Sequence, residues 1–447
     1  YKRYLLLAVP MIVQNAITNL VSFLDNIMVG QLGTEQMSGV AIVNQLIFVY
    51  NLAIFGAVSA ASIFGAQYFG KGNHKGHMYS FRFKLYATLL VTGGAILLFL
   101  TKGSALISLY LTDTVGNGAT DLALQYGLEY LAIMMVGLIP FAVNQSYATN
   151  IKETGQTFIP MLASFVAVGT NAILDYLMIF GIGPFPELGV QGAALATVIA
   201  RYIEALIVVI WAHIHRGKNR YLEGAYTGFG IPLAELKAIL IKGFPLMMNE
   251  VLWAAGMTTV TQCYSVRGLN VVAGLNIAST ITNLFNIVYL QLGSCISIVV
   301  GQYLGAGKLE DAKDADNKMI VFSVFCCVIM AALMFVVGGF FPGIYNTTEE
   351  IRELATSFIA VSAIIMPFCA FSHASYFTLR SGGKTVVTFL FDSVFTWVIV
   401  VPAAYLLAHF TGLGIVSIYF LVQGTELIKV IIGYLMVKSN VWVVQMV

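Results

Sequence analysis

An acidic residue, Asp25, lies inside the first long apolar segment of the chain, residues 4–30. A carboxylate within a membrane span is costly and usually faces a bundle interior or an aqueous pathway. A second apolar segment, residues 158–181, contains Asn171 and Asp175, whose spacing of four residues puts both on one face of a helix. Carboxylate and amide oxygens suit Na⁺ or a proton better than a soft transition metal. These residues suggest a monovalent-cation site.

The composition indicates an integral membrane protein. Of the 447 residues, 59% are hydrophobic and 10% are charged, whereas a soluble globular protein has about a quarter of its residues charged. The mean hydropathy is +0.85. The formal net charge of +2 gives no reason to expect nucleic acid as a partner. A length that would make two or three soluble domains fits about a dozen membrane spans better.

Hydropathy and length predict an all-α protein with twelve transmembrane helices. A helix rises 1.5 Å per residue, so about 20 apolar residues cross a bilayer. The predicted spans cover residues 4–30, 39–69, 82–101, 124–150, 158–181, 189–213, 237–265, 271–303, 319–341, 354–380, 385–408 and 413–437.

The loops between these spans alternate in charge. One set is basic, and acids such as Asp113, Glu187 and Glu349 mark the other. The basic set includes Lys71, Lys75, Lys152, Arg216, Lys308 and Lys384. Because cytoplasmic loops are enriched in Lys and Arg, the basic set and both termini are predicted to be cytoplasmic. We therefore expect a monomeric, multi-pass protein of the cell inner (plasma) membrane.

The chain contains an internal repeat. Residues 65–72 (GAQYFGKG) return as residues 300–307 (VGQYLGAG), and the same offset of 235 pairs Pro10 with Pro245. Further along, residues 154–157 correspond to 382–385, and Leu188-Gly189 corresponds to Leu413-Gly414. Each copy has six predicted spans, an even number, so both copies have the same orientation in the membrane.

The repeat predicts two six-helix bundles. Residues 1–213 would form an N-terminal lobe and residues 237–447 a C-terminal lobe, joined by a cytoplasmic linker of residues 214–236. Two parallel copies imply a pseudo-two-fold axis along the membrane normal, with a cavity between the bundles. Such a cavity suits alternating access better than a channel.

Several motifs resemble those of a known family. The first span ends in D-x-x-x-V-G-x-L-G, [GA]-Q-x-x-G-x-G follows the second and eighth spans, and R-x-G-G-K-T follows the tenth. With the duplicated halves, they resemble the multidrug and toxic compound extrusion (MATE) family over essentially the whole chain. The resemblance implies an antiporter, coupled to H⁺ or Na⁺, that exports amphiphilic and often cationic drugs and toxic compounds by alternating access.

The resemblance also implies a cation site in the N-terminal lobe. One branch of the family uses an Asp of the first helix, an Asn and an Asp one turn apart on the fifth, and a Thr on the sixth. Asp25, Asn171, Asp175 and Thr197 occupy the matching positions. In the predicted topology their depths agree to within roughly 5 Å at 1.5 Å per residue. No cofactor is expected apart from Na⁺ bound at this site.

A central substrate cavity is predicted around Glu250, Met247 and Asn144. Glu250 could receive a cationic substrate, or could hydrogen-bond backbone groups freed near Pro245. Methionine is flexible and polarizable, which suits an adaptable binding surface, although most membrane methionines serve packing. Another branch of the MATE family also uses acids on the seventh and tenth helices. Because residues 367–379 contain no acid, the N-terminal site is favoured.

The remaining charges within the spans are predicted to neutralise one another. Oppositely charged residues three positions apart on a helix are neighbours and can form an ion pair. A long side chain near the end of a span can also reach a partner at the membrane surface. The expected pairs are Arg201 with Glu204, Glu426 with Lys429, and Asp392 with Lys384 or Arg380.

The motifs argue against an enzyme. The sequence contains no G-x-x-x-x-G-K-[ST] loop for ATP and no H-E-x-x-H or G-x-S-x-G motif. The alternative transport function in the same superfamily is a flippase for lipid-linked saccharides. Its phosphate-bearing substrates would favour Arg and Lys in the cavity. Few basic residues lie within the spans, which favours drug export.

Overall fold

The computed structural model describes residues 2–111, 117–228 and 230–447, and every long element in these ranges is a helix. Asp113, one of the acids used to predict the topology, lies outside the described residues. The helices are α1 (Lys2–Gly30), α2 (Thr34–Lys71), α3 (His74–Ser108), α4 (Asn117–Val136), α5 (Leu138–Glu153), α6 (Phe158–Ile179), α7 (Val190–Ile214), α8 (Leu233–Ser265), α9 (Leu269–Gly305), α10 (Leu309–Gly338), α11 (Glu349–Ser381), α12 (Thr385–Phe410) and α13 (Ile415–Lys438).

These helices account for the predicted spans. Ten helices of the described chain are long and apolar enough to cross a membrane, and α4 with α5 forms an eleventh, bent span. Helix α1 corresponds to the remaining predicted span. It has 29 residues, about 43 Å at 1.5 Å per residue, and its residues Tyr4–Leu20 are apolar. The chain is therefore a multi-pass membrane protein.

The fourth predicted span, residues 124–150, is not one straight helix. Helices α4 and α5 meet at an angle of 44°, with Gly137 between them. Pro140 lies in the first turn of α5 and has no amide hydrogen to donate to the preceding turn, so the helix breaks there. A Cβ at Gly137 would lie 3.0 Å from Val198 Cγ2. Arg201 Nη1 donates to the Gly137 carbonyl at 3.4 Å, which satisfies an acceptor at the break.

Residues 9–65 and 74–236 form one compact unit, which we call the N-terminal unit. Its apolar core includes the fully or almost fully buried Val43, Ile107, Leu138 and Ala194. Helices α6 and α7 approach closely, because a Cβ at Gly192 would lie 2.6 Å from the Met178 carbonyl oxygen. This close contact brings together the polar residues of the two helices.

The predicted linker, residues 214–236, packs against the N-terminal unit. Arg82 of α3 donates three hydrogen bonds to linker carbonyls, at 2.7–2.9 Å. The acceptors are Gly224, Ala225 and Gly230. Tyr221 is buried, and this burial raises the pKa of its hydroxyl well above the ordinary range. The predicted lobes, residues 1–213 and 237–447, stay a prediction.

The C-terminal unit comprises residues 1–8, 66–73 and 237–447. Helices α9 and α11 are in close contact, since a Cβ at Gly293 would clash with the Phe377 ring. Such small residues let membrane helices approach closely. Helix α12 contains π-helical turns at Leu390–Val394 and Thr396–Val400. These wide turns are frequent at functional sites.

Candidate cation site

Helices α6 and α7 carry three of the four residues predicted to bind a cation. Asn171 and Asp175 lie on the buried face of α6, with 5% and 0% of their surface exposed. Asn171 Nδ2 donates to Thr197 Oγ1 of α7 at 3.4 Å. Thr197 Oγ1 in turn donates to the Ala193 carbonyl at 3.0 Å. The spacing of four residues on α6 and the contact with α7 therefore place an amide, a carboxylate and a hydroxyl together.

Helix α1 brings Asp25 to the same place. Its partly buried side chain lies beside the Asp175 carboxyl group, which also has the Asn171 amide beside it. The structure thus brings together all four residues that the sequence selected, from three helices of the N-terminal unit. Their role in binding a cation stays a prediction.

The two carboxyl groups have no basic partner among the residues that the structure describes. Neither Asp25 nor Asp175 forms an ion pair with a described Lys, Arg or His, and Asp25 Oδ1 and both Asp175 oxygens are buried. Two neighbouring ionised carboxylates repel each other, and burial disfavours each charge further. This hard oxygen-donor set fits a proton or Na⁺ and suits a soft metal poorly.

One further hydroxyl at this site could not be selected from the sequence. Tyr130 of α4 is buried and lies near both Asp25 and Asp175. Its hydroxyl donates to Asn44 Oδ1 of α2 at 3.3 Å. A tyrosine within an apolar segment has no spacing signal that links it to acids on other helices. Only the packing of the helices identifies it.

The residues predicted to line a substrate cavity belong to two different units. Asn144 of α5 is buried in the N-terminal unit, with its side chain beside the Glu204 carboxyl group. Met247 and Glu250 lie on α8 of the C-terminal unit. Met247 is 38% exposed, and the partly buried Glu250 lies near Arg380. Their common role in a cavity stays a prediction.

The predicted ion pair between Arg201 and Glu204 is wrong, because no such contact within 4.0 Å occurs among the described residues. Arg201 contacts α5, where it donates to the Gly137 carbonyl and its guanidinium carbon lies 5.1 Å from the centre of the Phe141 ring. Glu204 faces α6 and accepts a hydrogen bond from Ser164 Oγ. The two side chains diverge because different neighbouring helices receive them.

The charges of the C-terminal half also pair differently from the prediction. Lys429 Nζ donates to Asp392 Oδ1 at 2.8 Å, across from α13 to α12, and not to Glu426 on its own helix. Asp392 Oδ2 accepts from Asn249 Nδ2 of α8 at 3.1 Å. The predicted partners of Asp392, Lys384 and Arg380, are therefore wrong. A contact between helices neutralises both charges inside the span.

Two repeated halves built from ten apolar spans and an eleventh, bent span among the described residues, with polar contacts inside each half, are the architecture of a multi-pass membrane transporter. The MatE family model matches residues 10–177 and 245–406, one stretch in each half of the repeat. The chain therefore belongs to the MatE family, and the resemblance inferred from its motifs is confirmed.

Curated relatives match nearly the whole chain at modest identity. The probable multidrug resistance protein NorM of Thermotoga maritima is 23% identical over 418 residues, covering 93% of this chain and 87% of the relative. The protein of the same description from Listeria innocua is 25% identical over 417 residues, covering 93% and 89%.

Solved structures confirm the fold. An outward-facing multidrug resistance MATE family transporter of the MOP superfamily has a TM-score of 0.88 and 20% identity, covering 98% of this chain and 95% of that one. A MOP superfamily transporter from Pyrococcus furiosus, described as having a binding pocket of reverse polarity, has a TM-score of 0.87 and the same identity and coverage. The predicted twelve-helix, two-bundle fold is confirmed.

Proposed function

We propose that this protein is an antiporter that exports amphiphilic, often cationic, compounds in exchange for H⁺ or Na⁺. Membership of the MatE family and the multidrug resistance relatives support the export of small organic compounds. The observation that carries the coupling is the contact of Asp25 with Asp175, two carboxyl groups of different helices that form no ion pair with a described basic side chain.

This contact can couple cation binding to a change of conformation. A ligand shifts an equilibrium only through its different affinities for the two states. When bound, Na⁺ or a proton supplies the positive charge that lets Asp25 and Asp175 stay side by side. Without that charge, like-charge repulsion favours an arrangement in which α1 lies farther from α6. Asn171 and Thr197 hold the α6–α7 side of the site in place through their hydrogen bond.

The proposal extends to the substrate and the cell. Asn144, Met247 and Glu250 contact the exported compound, and Glu250 supplies a negative charge to cationic substrates. The protein acts as a monomer in the cell inner (plasma) membrane, with both termini in the cytoplasm. The basic loops and the family membership support this placement.

The experiment is efflux of a fluorescent lipophilic cation from proteoliposomes under an imposed Na⁺ gradient, an imposed pH gradient, and both together. The wild-type protein should export the cation with one of the single gradients, and Asp175→Asn should not. Asp314→Asn is a matched control, because Asp314 is an exposed acid on the protein surface that pairs with Lys318. The proposal would be overturned by an efflux rate that depends on neither gradient, or by full gradient-driven efflux by Asp175→Asn. Selective movement of a lipid-linked saccharide would instead support the flippase.

A further inference from the structure

Three polar residues of the N-terminal unit have counterparts at the same places in the second half of the repeat. The offset of 235 that pairs Pro10 with Pro245 pairs Gln14 with Asn249. The offset of 228 between residues 157 and 385 pairs Ser164 with Asp392, and the offset of 225 between residues 189 and 414 pairs Glu204 with Lys429. We call Gln14, Ser164 and Glu204 the N-terminal triad, and Asn249, Asp392 and Lys429 the C-terminal triad.

The two triads are connected in the same order. In the N-terminal triad, Gln14 Nε2 donates to Ser164 Oγ at 2.7 Å, and Ser164 Oγ donates to Glu204 Oε1. The C-terminal triad has its amide and its ammonium group on the two oxygens of the central Asp392, at 3.1 and 2.8 Å. In each half the amide comes from the first predicted span, the central residue from the fifth and the last residue from the sixth.

The C-terminal triad contains its own cation. Lys429 has 8% and Asp392 15% of the side chain exposed, so the pair is largely buried. The Lys429 ammonium also lies 5.4 Å and 5.9 Å from the ring centres of Phe391 and Phe395. A carboxylate together with aromatic rings is an environment that recognises ammonium groups. This position in the repeat therefore binds a positive charge, which the chain itself supplies through Lys429.

The N-terminal triad has the carboxylate without the cation. Glu204 forms no ion pair within 4.0 Å in the part of the chain that the structure describes. Lys152 and Arg201 are the basic groups that act on it from farther away, and Arg201 is held by Gly137 and Phe141. A membrane-embedded carboxylate in this situation calls for a proton or a cation.

Two further side-chain oxygen atoms of this cluster have no donor among the described residues. Gln14 Oε1 and Asn144 Oδ1 are buried acceptors without a hydrogen-bond partner among the described residues, and Asn144 lies beside the Glu204 carboxyl group. Buried acceptors are normally satisfied, so each such atom needs an explanation. A bound cation would satisfy both. Ser164 and Asn144 are buried, whereas Gln14 and Glu204 are partly exposed. A cation can therefore reach the site past Gln14 and Glu204.

We infer that the N-terminal triad and Asn144 form a second cation site, which binds an exchangeable monovalent cation where the C-terminal triad holds the Lys429 ammonium. The ligands are the Glu204 carboxylate, two amide oxygens and the Ser164 hydroxyl, a hard set that suits Na⁺ or the ammonium head of a small organic cation. The site is separate from that of Asp25 and Asp175, since Glu204 lies seven residues beyond Thr197 on α7, a rise of about 10 Å.

The first test is equilibrium binding of ²²Na⁺ to the purified full chain in detergent at fixed pH. The wild-type protein should bind one equivalent more than Glu204→Gln, and Glu129→Gln should match the wild type. Glu129 is a suitable control because it is an acid of the same unit whose carboxylate accepts hydrogen bonds from Gln125 and Gln191. A second series with labelled benzyltrimethylammonium distinguishes a site for Na⁺ from a site for an organic ammonium head.

The second test introduces the central and last residues of each triad at the matching positions of the other half. The double variant Ser164→Asp/Glu204→Lys builds the ion pair of the C-terminal triad into the N-terminal unit, so it should fold and still lose one equivalent of bound cation. The reverse variant, Asp392→Ser/Lys429→Glu, should gain one. Melting temperatures of all variants report on folding, so a loss of binding by an unfolded protein is recognised.

The inference is overturned if both probes bind Glu204→Gln and Glu129→Gln with the same stoichiometry, which would mean that Glu204 carries its own proton. It is also overturned if the folded Ser164→Asp/Glu204→Lys variant keeps the full wild-type stoichiometry. Binding needs neither a gradient nor transport. The result therefore stands whether or not the proposed antiport is found.

Discussion

The triads in the two halves of the repeat differ in whether their carboxylate has a basic partner. In the N-terminal unit, Asp25, Asp175 and Glu204 form no ion pair with any described basic side chain. In the C-terminal unit, Asp392 is paired with Lys429 at 2.8 Å and also accepts from Asn249. The repeat has thus preserved the positions of the polar contacts and changed which partner carries the charge.

This difference indicates which carboxylates can exchange ions during a transport cycle. A carboxylate that is permanently paired with a lysine keeps the same net charge in every step of a transport cycle. Carboxylates without a basic partner can gain and lose a proton or Na⁺, and only a change in binding can shift a conformational equilibrium. The coupling chemistry is therefore expected at Asp25, Asp175 and Glu204, and the Asp392–Lys429 pair is expected to be structural.

The largest expected effect comes from neutralising the unpaired acids. Asp25→Asn and Asp175→Asn should each reduce gradient-driven efflux to the level of liposomes without protein, because either change removes the repulsion that cation binding relieves. The double variant should be little worse than either single one, since the two acids act as a unit.

The matched control is the double variant Asp392→Asn/Lys429→Met, which removes the C-terminal pair without leaving a charge. It should retain coupled efflux. Proteoliposome efflux measures all four variants, and equal losses in the two units would contradict the assignment of coupling to the N-terminal unit.

The next effect concerns stability. Asp392→Asn alone leaves the Lys429 ammonium without its carboxylate, and breaking a buried ion pair in this way costs about 3–5 kcal/mol. The double variant Asp392→Asn/Lys429→Met should recover most of that loss. Glu204→Gln in the N-terminal unit should cost far less, because it breaks no ion pair. Melting temperatures in detergent test the series. Equal melting temperatures for Asp392→Asn and Glu204→Gln would show that the two acids are held alike.

Much of this arrangement could be predicted from the sequence. The apolar segments gave the spans, and the family motif with the spacing of Asn171 and Asp175 selected residues that the structure brings together. Those predictions succeed because helix periodicity and span length are local properties. The bend at Gly137 could be predicted only in part. Pro140 indicates that the helix breaks, but it does not fix the angle between the two helical segments.

The charge pairs could not be predicted in the same way. Glu426 and Lys429 have the spacing of an ion pair on one helix, yet Lys429 reaches Asp392, 37 residues away in sequence. Likewise Glu204 contacts Ser164, which lies on another helix. The partner that each charged side chain contacts depends on how its helix is rotated toward the neighbouring helices. That rotation is set by packing, which a single sequence does not reveal.

A smaller effect would sharpen the role of the C-terminal unit. If Glu250 attracts cationic substrates, Glu250→Gln should weaken the export of lipophilic cations more than that of neutral compounds, because only the cations lose an attractive charge. Efflux of one cationic and one neutral dye from the same liposome preparation measures the difference. Glu310→Gln, which changes an acid whose side chain is 86% exposed, should affect neither dye. Equal losses for both dyes with Glu250→Gln would reduce Glu250 to a structural role.

The smallest expected effect concerns the hydroxyl of Tyr130, which lies near Asp25 and Asp175 and donates to Asn44. Tyr130→Phe keeps the ring and removes this hydrogen bond, which typically contributes about 0.5–1.5 kcal/mol. The change leaves Asn44 Oδ1 without its donor, so the Asn44 amide can reorient beside the two acids. The Na⁺ or H⁺ concentration for half-maximal efflux should therefore shift several-fold while the maximal rate is kept.

The matched change in the C-terminal unit is Tyr376→Phe, because the Tyr376 hydroxyl accepts from Asn249 at 3.4 Å and Asn249 is bound to the paired Asp392. Removing that hydroxyl should leave the cation dependence of efflux unchanged, since the Asp392–Lys429 pair exchanges no ion. Titration of efflux rate against cation concentration measures both variants. An equal shift for the two tyrosines would mean that the carboxylates of both units respond to the transported cation, and the contrast between the units would then fail.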